Sequence, residues 1–210
     1  MTRFTRTTRT TRTMLAVLGI GLTTAMVAPT VASAAPAKPT LAQILLSDSK
    51  KDDKNGFDSN PNDFDIVTQA LLLFPDLVTA ASSPGKLTVF LPTDFAFRRL
   101  VRDLTGKTVL KESDVFKAVA SLGTDTVKAV LTYHIVAGAK INYLAALKSN
   151  GASLTTLNGA TIKVHVKHGW KVYLEDKATN LLDPKVIVAD VQASNGIAHV
   201  IDRVLLPINP

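Results

Sequence analysis

The sequence predicts an α+β protein, with helices gathered in the first half of its domain and an antiparallel sheet in the second. Three observations carry that expectation. Apolar residues recur at helical spacing between Ile66 and Leu131, and after Tyr133 the period becomes two-fold. The third is the segment Asn195–Pro207, which is apolar on both faces. Ile197, His199, Ile201, Arg203 and Leu205 share one side, and Ala198, Val200, Asp202, Val204 and Leu206 the other. A strand with one wet side would alternate apolar and polar residues. This one is predicted to be central and covered on both faces, so His199 and Asp202 must find partners inside the fold.

Residues 1–34 have the order basic, apolar, small. Arg3, Arg6, Arg9 and Arg12 precede an uncharged run from Met14 to Ala28, and Ala32-Ser33-Ala34 is a small-x-small site. That is the pattern of a secretory signal peptide, with the mature chain beginning at Ala35. The run is short and threonine-rich for a membrane span. Without the four leader arginines the formal charge falls from +7 to +3 (7 − 4), ordinary for a domain of this size. Basicity therefore gives no ground for a nucleic-acid partner. The chain has no cysteine, so an exported form rests on its core rather than on disulfides. The mature region, about 176 residues (210 − 34), is long enough to bury such a core. Export without disulfides suggests a bacterial source.

The elements follow in order. Leu41–Leu46 is a short helix after a Pro/Ala linker, and residues 47–65 form an Asp/Asn-rich loop. Its oxygen groups could hold calcium, but their spacing departs from the EF-hand pattern, and a solvated loop is the favoured reading. Ile66, Val67, Ala70, Leu71, Leu73 and Phe74 share a helical face, with Asn62 or Asp63 as cap and Pro75 as terminator. Leu87–Leu91 is a buried strand. Thr93 caps a helix carrying Phe97, Leu100, Val101 and Leu104, which Gly106 closes. Two more helices start near Ser113 and Thr124, separated by Gly123, and a last short one covers Ile141–Leu147. Strands at Ser153–Leu157 and Ala160–Val166 flank the hairpin signal Asn158-Gly159. His168-Gly169 turns into Lys171–Glu175, and strands at Lys185–Val191 and Gly196–Leu206 complete the set.

Catalytic chemistry finds no foothold in the pattern. There is no cysteine nucleophile, no Gly-x-Ser-x-Gly elbow and no phosphate-cradling Gly-x-x-x-x-Gly-Lys. His165 and His168, three apart on a strand, point to opposite sides, and His165 stands among lysines, a poor place for a cation. No metal site and no cofactor are expected. Lys163, His165, Lys167 and Lys171 could line one side of the hairpin and meet an anionic polymer. The ordinary reading of such lysines is an exposed sheet face kept soluble. Tyr133-His134 sits where helix gives way to strand, where an aromatic with a polar tip usually anchors the core.

Three stretches together resemble one family. Thr88-Val89-Phe90-Leu91-Pro92-Thr93-Asp94-Phe95-Ala96-Phe97 is similar to the first signature box of fasciclin domains, with Leu91 in place of the usual alanine. The Asn195–Pro207 segment is similar to the second box, and Tyr133-His134 falls at the family's Tyr-His motif between them. The order and spacing match over roughly 64–207, and the chain is similar to single-domain secreted bacterial members. The resemblance implies a wedge-shaped β-sandwich or flattened barrel flanked by short helices, spanning 35–208, with the two boxes paired near its centre. It also implies a non-catalytic adhesion module. In animal members the Tyr-His region is implicated in integrin binding, which would make Tyr133 and His134 partner-binding residues. Thr93, Asp94, His199 and Asp202 would belong to the scaffold.

The expected function is thus a secreted, extracellular interaction module, at most loosely wall-associated, binding an extracellular protein or a cell-wall or host glycan. The candidate contacts are Tyr133, His134, Lys163, Lys167 and Lys171. Neither nucleic acid nor membrane insertion is expected after leader cleavage, and the mature chain is read as a monomer. The alternative is an extracellular carrier of a small apolar ligand, which a large apolar cavity would favour.

Overall fold

The first strand of the chain lies against the last. β1 (Leu87–Pro92) runs parallel to β7 (Gly196–Ile201), in register from Leu87 opposite Gly196 to Pro92 opposite Ile201. The two signature boxes therefore pair at the centre of a sheet. Antiparallel β2 (Ile135–Ala137) flanks β1 and antiparallel β6 (Val186–Gln192) flanks β7, giving the order β2-β1-β7-β6. A second sheet is the antiparallel meander β3 (Ser153–Thr155), β4 (Thr161–Lys167) and β5 (Lys171–Glu175). The computed structural model describes residues 37–49 and 56–210. The leader at 1–34, the Ala35 junction and residues 50–55 of the Asp/Asn-rich loop lie outside the described residues.

Seven helices complete the described fold: α1 (Leu41–Ser49), α2 (Asp65–Leu72), α3 (Pro75–Ser82), α4 (Asp94–Thr105), α5 (Glu112–Ala120), α6 (Thr124–Tyr133) and α7 (Tyr143–Leu147). The architecture is α+β. The two sheets approach through a bridge between Tyr173 and Lys185 but, among the described residues, do not close into a barrel. Two apolar cores follow from this layering. One lies between the sheets, around Phe90, Tyr133, Val136, Ile162, Val164, Leu174 and Ile201. The other lies between the four-stranded sheet and the helices, around Leu91, Ala198, Phe97, Val101, Leu131 and Leu206. Every residue of β7 is buried, as a strand covered on both faces requires.

Local chemistry explains most boundaries. Thr93 accepts a hydrogen bond from the Ala96 N–H at 3.3 Å and caps α4, and Gly106 ends that helix at φ 70°. Asn142 caps α7 through the Ala145 N–H at 2.8 Å. Three features differ from the sequence expectation. The strands are not all antiparallel, because β1 and β7 pair across a long chain excursion. Pro75 does more than stop a helix: α2 ends at Leu72 and Pro75 opens α3, leaving Leu73 exposed while Phe74 turns inward. β7 also stops at Ile201, so the predicted strand through Leu206 is cut short.

Candidate functional site

The polar residues of the second box fasten β7 to everything around it. Asn195 Oδ1 accepts from the Leu41 N–H at 3.0 Å, and its Nδ2 donates to the carbonyls of Ala81 at 2.7 Å and Ser83 at 3.0 Å. The next residue has to be glycine. A Cβ on Gly196 would stand 2.8 Å from the Leu87 carbonyl oxygen and 2.7 Å from Leu41 Cδ1. His199 lies 2.7 Å from the Ile141 carbonyl through Nε2, and its Nδ1 faces the Asp190 N–H at 3.4 Å. These partners place the ring proton on Nε2. Asp202 accepts from the Lys185 N–H at 2.8 Å and from Arg99 at 3.2 Å, tying the strand end to β6 and α4. Thr88, in the first box, donates to the Ala139 carbonyl and accepts from the Ile141 N–H, both at 2.9 Å.

Asp94 caps a helix other than its own. Its Oδ1 and Oδ2 accept the N–H groups of Ile66 at 2.9 Å and Asp65 at 3.2 Å, the first turn of α2. The sequence assigned that cap to Asn62 or Asp63. The structure instead gives Asp63 a place beside Asp94, in a buried trio with Glu112 whose ligand atoms lie within 4.8 Å of one another. Asp58, Asp63 and Asp65 form a second trio of the same kind. Such oxygens could hold a hard cation. Burial, then the hydrogen bond with Asp63, pushes the Asp94 carboxyl up, the state of a group that keeps its proton. Burial pushes Glu112 up to about 7 against the pull of Arg98, whose Nη2 stands 2.8 Å from Glu112 Oε1. Glu112 escaped the sequence reading, and Asp63 entered it only as a candidate cap, because neither carries an apolar signal.

Tyr133 and His134 lie inside. Tyr133 is 0% and His134 4% exposed. The Tyr133 hydroxyl donates to the Thr161 carbonyl at 2.8 Å, so this residue reaches from α6 to β4. His134 Nδ1 lies 2.7 Å from the Val130 carbonyl, and Nε2 accepts the Leu205 N–H at 3.0 Å. The ring proton must sit on Nδ1, the tautomer opposite to that of His199. Burial pushes His134 down to about 4 from its ordinary 6.5. Both side chains spend their polar atoms on backbone. Neither presents a surface to the partner that the Tyr-His resemblance implied.

Lys163, His165, Lys167 and Lys171 do share a face. On β4, Ile162 and Val164 turn inward while Lys163, His165 and Lys167 turn outward, and Lys171 stands opposite Lys167 on β5. The strip is not purely basic. Glu175 stands opposite Lys163 and pairs with His165, so the histidine is not surrounded by ammonium groups alone. The Lys167 ammonium sits 4.4 Å from the Tyr173 ring centroid, and that of Lys171 4.9 Å from Trp170. Trp170, at the hairpin tip beyond left-handed His168 and Gly169, is 61% exposed. The lysine spacing was legible; the tryptophan and glutamate that complete the face were not, since they depend on register.

Residues 63–207 match the fasciclin domain family. The chain belongs to it. The protein sll1483 of Synechocystis sp. is 38% identical over 132 residues, 63% of this chain and 61% of that protein. The protein sll1735 of the same organism is 32% identical over 131 residues, 62% of this chain and 80% of that one. A stretch of Stabilin-2 from Rattus norvegicus is 30% identical over 132 residues, only 8% of its length. The FAS1 domain pair of the insect cell adhesion molecule Fasciclin I has the same fold at a TM-score of 0.57 and 19% identity, covering 81% of this chain and 51% of that one. The chain thus spans about three fifths of the first of these relatives and half of the solved structure.

This fasciclin domain also contains an apolar cavity of about 750 Å³ among α4, α5, α6 and the C-terminal segment. Phe97, Val101, Val119, Val127 and Leu131 form its buried floor, and the wall includes His134. The helical face predicted through Phe97, Leu100, Val101 and Leu104 is one of its sides. What the periodicity could not show is that this face is only partly covered.

Proposed function

We propose that the protein is a secreted, non-catalytic adhesion module that contacts an anionic extracellular glycan through the outer face of β3, β4 and β5. The observation that carries this reading is the outward-facing row of exposed Lys163 and Lys167 with half-buried Lys171, ending at exposed Trp170. Ammonium groups meet uronate or phosphate charges, and a solvent-exposed indole offers a flat apolar face to a sugar ring. Family membership supports the adhesion role, as does the likeness to a structure from a cell adhesion molecule. The leader pattern at 1–34 supports export, and the non-catalytic reading follows the family. Of the candidates read from the sequence, the three lysines are the contact residues, whereas Tyr133 and His134 shape the core on which the sheet rests.

The test is retention of the purified protein on the producing cell's isolated envelope at low and high salt. Retention lost in high salt and in the triple variant Lys163→Gln/Lys167→Gln/Lys171→Gln supports the reading. Retention unchanged by both would refute it, and loss after protease treatment of the envelope would move the partner to the protein class.

A further inference from the structure

The cavity among α4, α5 and α6 has features that core packing does not require. Its floor is buried, yet its rim carries Leu104, Leu122 and Ile208 at 37%, 43% and 62% exposure. Large aliphatic side chains held in water around an apolar hollow mark a binding site more than a packing defect. The volume, about 750 Å³, lies within the range of small-molecule sites, roughly 300–1,000 Å³.

The chemistry of the walls defines the occupant. His134 is the one polar ring in the lining, and both of its nitrogens are already bonded to backbone. Nothing in the floor can therefore hydrogen-bond a ligand, and a polar group taken inside would lose its water without replacement. The remaining polar side chains, Thr105, Ser121, Asp125 and Thr126, come from helix ends. Among the described residues Asp125 carries the only carboxylate side chain of the lining, and no lysine or arginine lines it. An anionic headgroup would meet repulsion there.

We infer that this cavity binds the alkyl chain of a single-chain lipid whose uncharged, hydroxyl-bearing headgroup stays at the rim beside Asp125 and Thr126. The site is separate from the lysine face, since it is built from different elements, and each can fail without the other.

The experiment begins with purified protein stripped of carried lipid on a hydrophobic resin, its first residue fixed by mass spectrometry. The uncharged dye N-phenyl-1-naphthylamine is titrated and then displaced with 1-monomyristoylglycerol or with sodium myristate. The expected result is saturable fluorescence at one dye per chain, displaced better by the monoglyceride than by myristate. Ala118→Phe, which fills the hollow from a half-buried position, should weaken dye binding at least tenfold while the melting temperature holds. Leu122→Asp, at the exposed rim, tests the same point with little risk to folding. Absence of saturable binding, equal binding by both folded variants, or stronger displacement by myristate would overturn the proposal. So would a dimer in light scattering that Leu122→Asp dissolves while no dye binds, since the face would then belong to a second copy of the chain.

Discussion

β7 and β4 are both inner strands, each with a hydrogen-bonded neighbour on either side, yet they treat water oppositely. All six residues of β7 are buried, whereas β4 buries fully only Ile162 and Val164. The difference lies in what covers them. Helices and a second sheet sandwich β7, so its histidine spends both ring nitrogens on backbone groups. β4 packs on one side only, so its histidine can lie in the open beside a glutamate. The buried and the open polar side chains of this fasciclin domain are thus divided between its sheets.

The strongest way to break that division is to empty the seam between them. Tyr133→Ala removes a fully buried ring and its bond to Thr161, and should cost roughly 3–5 kcal/mol of unfolding free energy in urea melts. A loss confined to glycan retention, at unchanged stability, would return Tyr133 to the binding residues. Acid acts instead on the helix side of the central sheet, through His134 and its bonds to Val130 and Leu205. Its folded-state value of about 4 lies below its ordinary 6.5, so the stabilisation is complete above the ordinary value. It is lost as pH falls from 6.5 towards 4, by about 3 kcal/mol in all. His134→Gln should flatten that limb of the stability curve. Glu112 works the other way: raised to about 7, it contributes fully below its ordinary 4.5, and that contribution fades as pH rises through 7. Comparing Glu112→Gln with wild type should isolate the fall in stability between pH 4.5 and about 7.

Smaller effects sharpen the contrast. Gly196→Ala forces a Cβ against the Leu87 carbonyl and should cost about 1–3 kcal/mol, from overpacking rather than lost bonding. His199→Leu strands the Ile141 carbonyl and should cost about 1–3 kcal/mol while leaving glycan retention intact. At the far end of the scale, the triple lysine-to-glutamine variant should shift stability by less than about 0.5 kcal/mol while abolishing retention. If it unfolds the protein, the open sheet is not as independent of the core as its exposure indicates.

Much of this division could be read from the chain before the structure. The two-sided apolarity of residues 197–206 announced a covered strand, and the alternation of Ile162, Val164 and Val166 with Lys163, His165 and Lys167 announced a half-wet one. Periodicity reports burial, and both of these are burial facts. That β1 pairs with β7 was implied by family likeness and its parallel direction was not read at all, because no local pattern tells a strand which distant partner it has. The cap that Asp94 lends to α2 was missed for a related reason: capping rules look within a few residues, and this cap comes from another helix. The exposed Leu104 read as an ordinary helix-face residue, since a sequence does not show where a neighbouring element stops.

The pairing of the first strand with the last has a consequence in time. A chain delivered from its N-terminus presents β1 with one edge bare until β7 follows, after the helices and the meander have passed. The central sheet cannot close early, and folding waits on a contact between distant parts of the sequence, which slows it. Whatever acts on the unfolded chain, a protease or a chaperone, therefore has the whole span from β1 to β7 in which to act before the central sheet closes.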